Sequence, residues 1–247
     1  MATERVLVDT VIHAEPDVVW RSLREPALIS RWFGWDYDGL DAEIVQIFAD
    51  GATADEAART VTWPDGDRFE LAPEDGVTRL RVARTGHDDT AVDGVYDPID
   101  EGWITFVQQL RFALERHPGQ DRRTVSALGL DLGPHDAPLL ERLGLRLLGE
   151  DPVGGTYEVS REDGSSFSGE VFFQTDLQIG LTVAEEDDAL LVVARTPPAA
   201  APPDGEVMLI LSVYGADDAR LADVERRWTS WWSDDEDASG QQGPEGA

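Results

Sequence analysis

The chain has 247 residues, of which 50 are acidic and 20 are basic, so its formal net charge is −30. Every basic residue is Arg, and Lys and Cys are absent, which excludes lysine phosphate loops, Schiff bases, thiol nucleophiles and disulfides. A charge this negative argues against nucleic-acid partners and anionic membrane surfaces, because phosphate groups would be repelled.

The first half of the sequence predicts one strand, two short helices, several short strands and a long helix. Residues 4–13 alternate apolar and polar side chains, as a half-buried strand does. Pro16 and Pro26 each open a short helix, and the second helix is predicted to run to Phe33 and end at Gly34. The strands are predicted over Glu43–Phe48, Ala58–Trp63, Arg68–Leu71 and Thr78–Arg84. Asp100 is predicted to cap a helix from Glu101 to Arg116, whose apolar residues recur at helical spacing.

The second half repeats this order of elements. Short helices are predicted between Pro134 and Leu148, and a final helix over Asp217–Trp232. Strands are predicted over Arg123–Leu132, Thr156–Arg161, Ser166–Phe173, Gln178–Ala184, Ala189–Arg195 and Glu206–Tyr214. We therefore predict two tandem domains, 1–118 and 119–232, followed by a disordered acidic tail, 233–247. These segments carry charges of −13, −12 and −5, so we interpret the charge as a solvated surface and not as one acidic face.

The N-terminus has no apolar signal core, and the longest apolar runs are far too short to cross a bilayer. We therefore expect a soluble, cytoplasmic protein that does not bind membranes.

Two N-terminal motifs resemble a known family. Ala14-Glu15-Pro16-Asp17-Val18-Val19-Trp20-Arg21-Ser22-Leu23, followed by Pro26-Ala27-Leu28-Ile29-Ser30-Arg31-Trp32-Phe33, resembles the opening of the START-like, or SRPBCC, superfamily. The resemblance is greater to the subfamily of homologues of the activator of the heat-shock chaperone ATPase. Glu15 interrupts the usual Ala-Pro pair, and Ser22 replaces a common Ala.

This resemblance implies an α+β helix-grip fold, in which a curved antiparallel sheet wraps around a long C-terminal helix. Such a sheet leaves space against the helix, and relatives use that space for lipids, steroids, plant hormones or polyketide intermediates. Here the resemblance covers residues 4–117, and the second half is predicted as a divergent copy from its element order.

Aromatic residues are concentrated in the first half and could line a pocket for an apolar or aromatic ligand. For any single one of them, core packing is favoured over a binding role. Trp32 and Trp35 lie at the exit of the second short helix, and Gln109 borders the inner stripe of the long helix, where it could supply a polar contact. The predicted ligand-binding residues are Trp32, Phe33, Trp35, Trp63, Trp103, Phe106, Gln109 and Leu110.

Catalytic and metal motifs are not found in the sequence. His13, His87, His117 and His135 lack zinc-site spacing, and no G-x-S-x-G elbow occurs. Acidic runs such as Glu185–Asp188 lack EF-hand spacing and are interpreted as solvated turns. We predict no metal, no cofactor and no catalytic residue.

Three functions are compatible with these features. The leading hypothesis is a non-catalytic module that binds a small apolar or aromatic ligand. The alternatives are an enzyme of the polyketide cyclase/aromatase type and a protein-interaction role, such as a chaperone co-regulator. Trp232 is offset from the apolar stripe of the final helix and is the candidate for a homodimer or domain contact, with fraying of the helix end as the rival interpretation.

Overall fold

The computed structural model describes residues 4–85, 96–133, 139–145, 152–160, 164 and 166–233. The chain divides into two compact units, Met1–Arg122 and Arg123–Ala247. His87, His135, most of the predicted 134–148 helical region and tail residues 234–247 lie outside the described residues. The predicted domain borders stay predictions. None of the described helices combines the length and apolar character needed to span a bilayer.

The first unit is a five-stranded antiparallel sheet with one long helix and several short ones. Its sheet order is β1-β5-β4-β3-β2, so the first strand pairs with the last and the others follow in reverse. Its strands are β1 (Glu4–Ile12), β2 (Thr53–Asp55), β3 (Thr60–Thr62), β4 (Arg68–Glu74) and β5 (Val77–Thr85). Its helices are α1 (Pro16–Ser22), α2 (Pro26–Ile29), α3 (Leu40–Ile44), a π-helical segment (Val45–Asp50) and α4 (Pro98–Arg116).

Helix α4 begins earlier than the sequence predicted. Asp97, not Asp100, is its N-cap, and the Asp97 carboxylate accepts hydrogen bonds from the backbone N–H groups of Ile99 and Asp100. Pro98 follows at the first helical position, where its missing N–H costs nothing. The apolar side of α4 includes Val107 and Leu110, which are fully buried in the core of this unit.

The predicted strand over Glu43–Phe48 is wrong, because these residues are helical and continue into the π-helical segment. Leu40, Ile44 and Phe48 are buried at a spacing of four residues, which places them on one helical face. Ile44, Val45, Ile47 and Phe48 form a short apolar run interrupted only by Gln46, and such a run does not distinguish a strand from a buried helix. Within the predicted strand over Ala58–Trp63, only Thr60–Thr62 (β3) is a strand. Helix α2 ends at Ile29 and not at Phe33 as predicted.

The second unit repeats the arrangement with six strands. Its sheet order is β6-β11-β10-β9-β8-β7, so again the first strand pairs with the last. Its strands are β6 (Arg122–Asp131), β7 (Thr156–Ser160), β8 (Ser166–Gln174), β9 (Gln178–Val183), β10 (Ala189–Thr196) and β11 (Glu206–Tyr214). Its helices are α5 (Leu139–Arg142) and α6 (Asp218–Ser233), with a short 3-10 turn at Ala184–Glu186.

The two units have separate cores, and each pairs one antiparallel sheet with a long C-terminal helix. In the second core, Phe167 of β8 contacts Trp228 and Trp231 of α6, with ring centroids 5.1 and 5.3 Å apart. Trp232 is buried in the same core, 6.2 Å from Trp228, and is therefore not a free contact residue. The predicted α+β fold, two tandem helix-grip units, is confirmed.

Candidate functional site

Seven aromatic side chains of the first unit form one continuous cluster against helix α4. We call them the aromatic cluster. They come from the turn after α2, the π-helical segment, the β3–β4 hairpin and α4 itself. The members are Trp32, Phe33, Phe48, Trp63, Phe69, Trp103 and Phe106.

Phe33 and Trp103 hold the aromatic cluster together. The Phe33 ring lies 4.7 Å from Phe106 and 5.0 Å from Phe48, between centroids. The Trp103 ring lies 5.3 Å from Trp63 and 5.1 Å from Phe69. Most of these pairs are edge-on or tilted, which brings the positive edge of one ring to the negative face of the next.

The aromatic cluster has a closed base and an accessible side. Trp32 is only 1% exposed, and Phe33, Phe48 and Phe69 are also buried. Trp63, Trp103 and Phe106 are each half-buried, so part of each ring can be reached from outside. The buried rings therefore support three accessible ones.

Two indole groups fix the backbone around this base. Trp63 donates from Nε1 to the carbonyl oxygen of Ile47 at 3.0 Å, which ties the π-helical segment to the hairpin. Trp32 donates from Nε1 to the carbonyl oxygen of Ser22 at 2.8 Å. Because π-helical turns are rare and often occur at functional sites, the segment that carries Phe48 is a further sign of a site here.

Arg122 holds the turn that carries the first two rings. Its guanidinium donates to the carbonyl oxygens of Trp32 (3.1 Å), Phe33 (2.6 Å) and Gly34 (3.0 Å). Gly34 has φ +63°, a conformation that glycine adopts at little cost. Arg122 thus satisfies three carbonyls of the turn that follows α2.

Gln109 of α4 meets the same guanidinium with its side-chain oxygen. Its side chain is fully buried, and its Nε2 has no hydrogen-bond partner among the described residues. A buried amide donor without a partner costs about 1–3 kcal/mol, so such a group calls for a physical explanation.

The structure brings most of the predicted binding residues together. Trp32, Phe33, Trp63, Trp103 and Phe106 belong to the aromatic cluster, Leu110 lies in the core beside it, and Gln109 contacts Arg122 at its edge. Trp35 is half-buried and makes no ring contact within the described part of the chain. Phe48, Phe69 and Arg122 also belong to this region of the structure, but the sequence did not predict them as site residues. Ligand contact by the predicted residues stays a prediction.

A buried ionic cluster lies at the N-terminal end of α4. The Arg84 guanidinium donates to Asp67 (2.7 Å), Asp97 (3.3 Å) and Asp100, and Arg5 pairs with Asp100 from the surface side. Burial lowers the pKa of the Arg84 guanidinium, but its hydrogen bonds to Asp100 and Asp67 outweigh burial and hold the pKa above its ordinary value. This cluster fixes the start of α4 to β5.

A small pocket of about 180 Å³ lies in the second unit, beside the start of α6. It is lined by Glu186, Asp187, Val213, Tyr214, Gly215, Ala216, Asp217 and Arg220. Glu186 is already paired: it accepts from Arg220 (2.8 Å), Arg227 (3.0 Å) and the Trp228 indole (2.9 Å). We therefore interpret this carboxylate as a structural link between the 3-10 turn and α6.

Replacing Glu186 by Gln should lower the stability of the second unit by about 1–3 kcal/mol, because a buried acceptor of two guanidinium groups loses its charge. The measurement is hydrogen exchange of α6 amides in the full chain. Asp223→Asn is the matched control, since Asp223 pairs with the same two Arg from an exposed position. Equal losses in both variants would contradict the structural role of Glu186.

No protein-family model matches this chain, and no curated protein matches it. Among solved structures, it is similar to DynU16, a protein of the dynemicin biosynthetic locus, at 17% identity, covering 96% of this chain and 98% of that chain, with a TM-score of 0.32. It is similar to BexL, a di-domain ARO/CYC from the BE-7585A biosynthetic pathway, at 16% identity, covering 97% and 95%, with a TM-score of 0.30. It is also similar to an AHSA1-like protein from Aeromonas hydrophila at 11% identity, covering 100% of both chains, with a TM-score of 0.21. At these TM-scores and identities, nothing about the family or the activity of this chain follows from these likenesses.

Proposed function

We propose that the first unit binds a small, largely aromatic molecule on the accessible side of the aromatic cluster. The observation that carries this proposal is the set of three half-buried rings, Trp63, Trp103 and Phe106, supported from below by four buried rings. Binding sites for small molecules combine apolar and aromatic walls with a few polar groups that orient the ligand. A rigid ring surface also loses little conformational entropy when a flat ligand covers it.

The polar side chains beside the cluster support binding more than catalysis. Two of them are the amide of Gln109 and the guanidinium of Arg122, which meet each other next to the Trp32–Gly34 turn. Neither group exchanges protons near neutral pH, so neither is suited to general acid–base chemistry. The cyclase/aromatase alternative would need a titratable group in contact with the substrate, and no contact of the described residues favours the chaperone alternative.

Replacing Trp103 by Leu should weaken binding of 2-acetylnaphthalene by about three- to tenfold, because an aromatic contact beyond simple burial contributes about 0.5–1.5 kcal/mol. Equilibrium dialysis of the full chain against this probe measures the dissociation constant. A co-purified ligand can be sought in parallel by mass spectrometry of extracts.

Trp231→Leu is the matched control, since Trp231 is a buried member of the aromatic group in the second unit. It should leave the dissociation constant unchanged. Absence of saturable binding by the unaltered chain, or an equal loss in both variants, would overturn the proposed function.

A further inference from the structure

We infer that Gly102 of α4 is a specificity-determining residue of this site, and that the ligand is a planar fused-ring molecule whose edge lies against the helix surface at Gly102. This inference rests on the proposed function and adds to it the shape of the ligand. The observation that carries it is a glycine inside the long helix, beside an accessible ring, that the fold itself does not require.

Neither the backbone conformation nor the packing at Gly102 requires glycine. The residue lies in the second turn of α4 with ordinary helical backbone, and it lacks the positive φ of Gly34. A Cβ atom at Gly102 would lie 3.6 Å from Cε2 of Phe106, which is a normal van der Waals distance. A Cβ atom at Gly34 would lie only 2.9 Å from Cδ1 of Leu40. Because glycine inside a helix destabilises it relative to alanine, its presence at position 102 calls for an explanation outside the fold.

The space beside Gly102 adjoins the accessible side of the aromatic cluster. Helical side chains lean toward the N-terminus, so the ring of Phe106 reaches the turn that contains Gly102, four residues earlier. Gly102, Trp103 and Phe106 are each half-buried, so this space is not closed off from outside. Apart from neighbours along the helix, the described part of the chain places only Phe106 Cε2 within 4 Å of the missing Cβ. A ligand atom can therefore take this position and touch the ring.

The two rings beside this space favour a planar ligand. The rings of Trp103 and Phe106 stand at 88° to each other, with centroids 6.3 Å apart. A flat molecule that stacks on one of them presents its edge to the other, and both contacts are favoured geometries of aromatic pairs. The edge of a fused aromatic ring is thin enough to lie over a glycine, whereas a puckered, saturated ring carries axial hydrogens that need more room.

The test replaces Gly102 by Ala and measures binding of 2-acetylnaphthalene to the full chain by equilibrium dialysis. We expect the dissociation constant to rise about three- to tenfold, because the methyl group takes the position of the ligand edge and removes an aromatic contact. We expect hydrogen exchange of the α4 amides to be unchanged or up to about fivefold slower, because alanine favours the helix. A purely structural role of Gly102 does not produce weaker binding together with an equally or more stable helix.

Ile99→Ala is the matched control. Ile99 is 45% exposed in the first turn of α4, so this change also favours the helix but adds no atom beside Phe106. It should leave the dissociation constant unchanged.

A second probe, 6-acetyltetralin, tests the shape of the ligand. It keeps the acetyl-bearing aromatic ring of 2-acetylnaphthalene, but its second ring is saturated and puckered. We expect Gly102→Ala to weaken its binding by less than about twofold, since the puckered ring does not enter the space beside Gly102.

The outcomes separate this inference from the proposed function. The inference is overturned, and the proposed function stands, if Gly102→Ala binds 2-acetylnaphthalene as the unaltered chain does, loses affinity equally for both probes, or exchanges its α4 amides faster. An equal loss of affinity in Ile99→Ala overturns the inference as well. If the unaltered chain does not bind 2-acetylnaphthalene, both are overturned. A loss of affinity for the planar probe in Gly102→Ala alone supports both.

Discussion

Replacing Arg84 by Met should lower the free energy of unfolding of the first unit by about 3–5 kcal/mol, because it leaves buried carboxylates without their cation. The Arg84 side chain is 1% exposed, and its partners Asp67, Asp97 and Asp100 are almost as deeply buried. Arg5 reaches Asp100 from the surface but cannot replace a guanidinium that meets all three.

Hydrogen exchange of β5 and α4 amides measures this loss within the full chain, since exchange reports the opening of each unit separately. Arg79→Met is the matched control on the same strand. Arg79 pairs with Asp9 (2.7 Å) and Glu74 but is 43% exposed, so we expect a loss below about 1 kcal/mol. Similar losses for the two variants would show that the buried cluster is not what anchors α4.

Replacing Trp32 by Ala should also cost about 3–5 kcal/mol, because it removes a buried ring and leaves a cavity that the neighbours cannot fill. Trp32 contacts Phe33 and Phe48, with centroids 6.0 and 5.6 Å apart, and its indole donates to Ser22. The loss should appear in the exchange of α1 and α4 amides and as a weaker near-ultraviolet circular dichroism signal.

Trp35→Ala is the control for that prediction, since Trp35 lies three residues later, is half-buried and makes no ring contact within the described residues. We expect it to cost about 1 kcal/mol, the amount typical of partial burial. A Trp35 effect as large as that of Trp32 would contradict the assignment of the closed base.

The fold was predictable wherever the apolar pattern had one interpretation. Strands β8 to β11 and helices α4 and α6 lie close to their predicted positions, because the strands are apolar runs bounded by turn residues and the helices carry a long helical period. The prediction for Glu43–Phe48 failed because a run of six residues with four apolar side chains is too short to distinguish a strand from a buried helix. Tertiary packing of Phe48 on Trp32 and Trp63 accompanies the helical outcome.

The candidate site was predictable in part, and the reason is the distance along the chain between its members. The Trp32–Trp35 segment and the inner stripe of α4 are locally unusual, so Trp32, Phe33 and Trp103 could be proposed from the sequence. Arg122 gives no such signal, because its three carbonyl partners lie about 90 residues earlier. In the sequence Phe69 is an ordinary apolar strand residue. Only the structure shows that its ring lies 5.1 Å from that of Trp103, between centroids.

The position of Arg122 also bears on how the protein can be dissected. A truncation after residue 118, at the border the sequence suggested, would remove the side chain that satisfies the Trp32, Phe33 and Gly34 carbonyls. Yet Arg122 is also the first residue of β6, the strand that begins the second sheet. A recombinant version of the first unit therefore has to extend past residue 118 and include Arg122. A chimera in which the second unit is replaced has to keep an arginine at position 122.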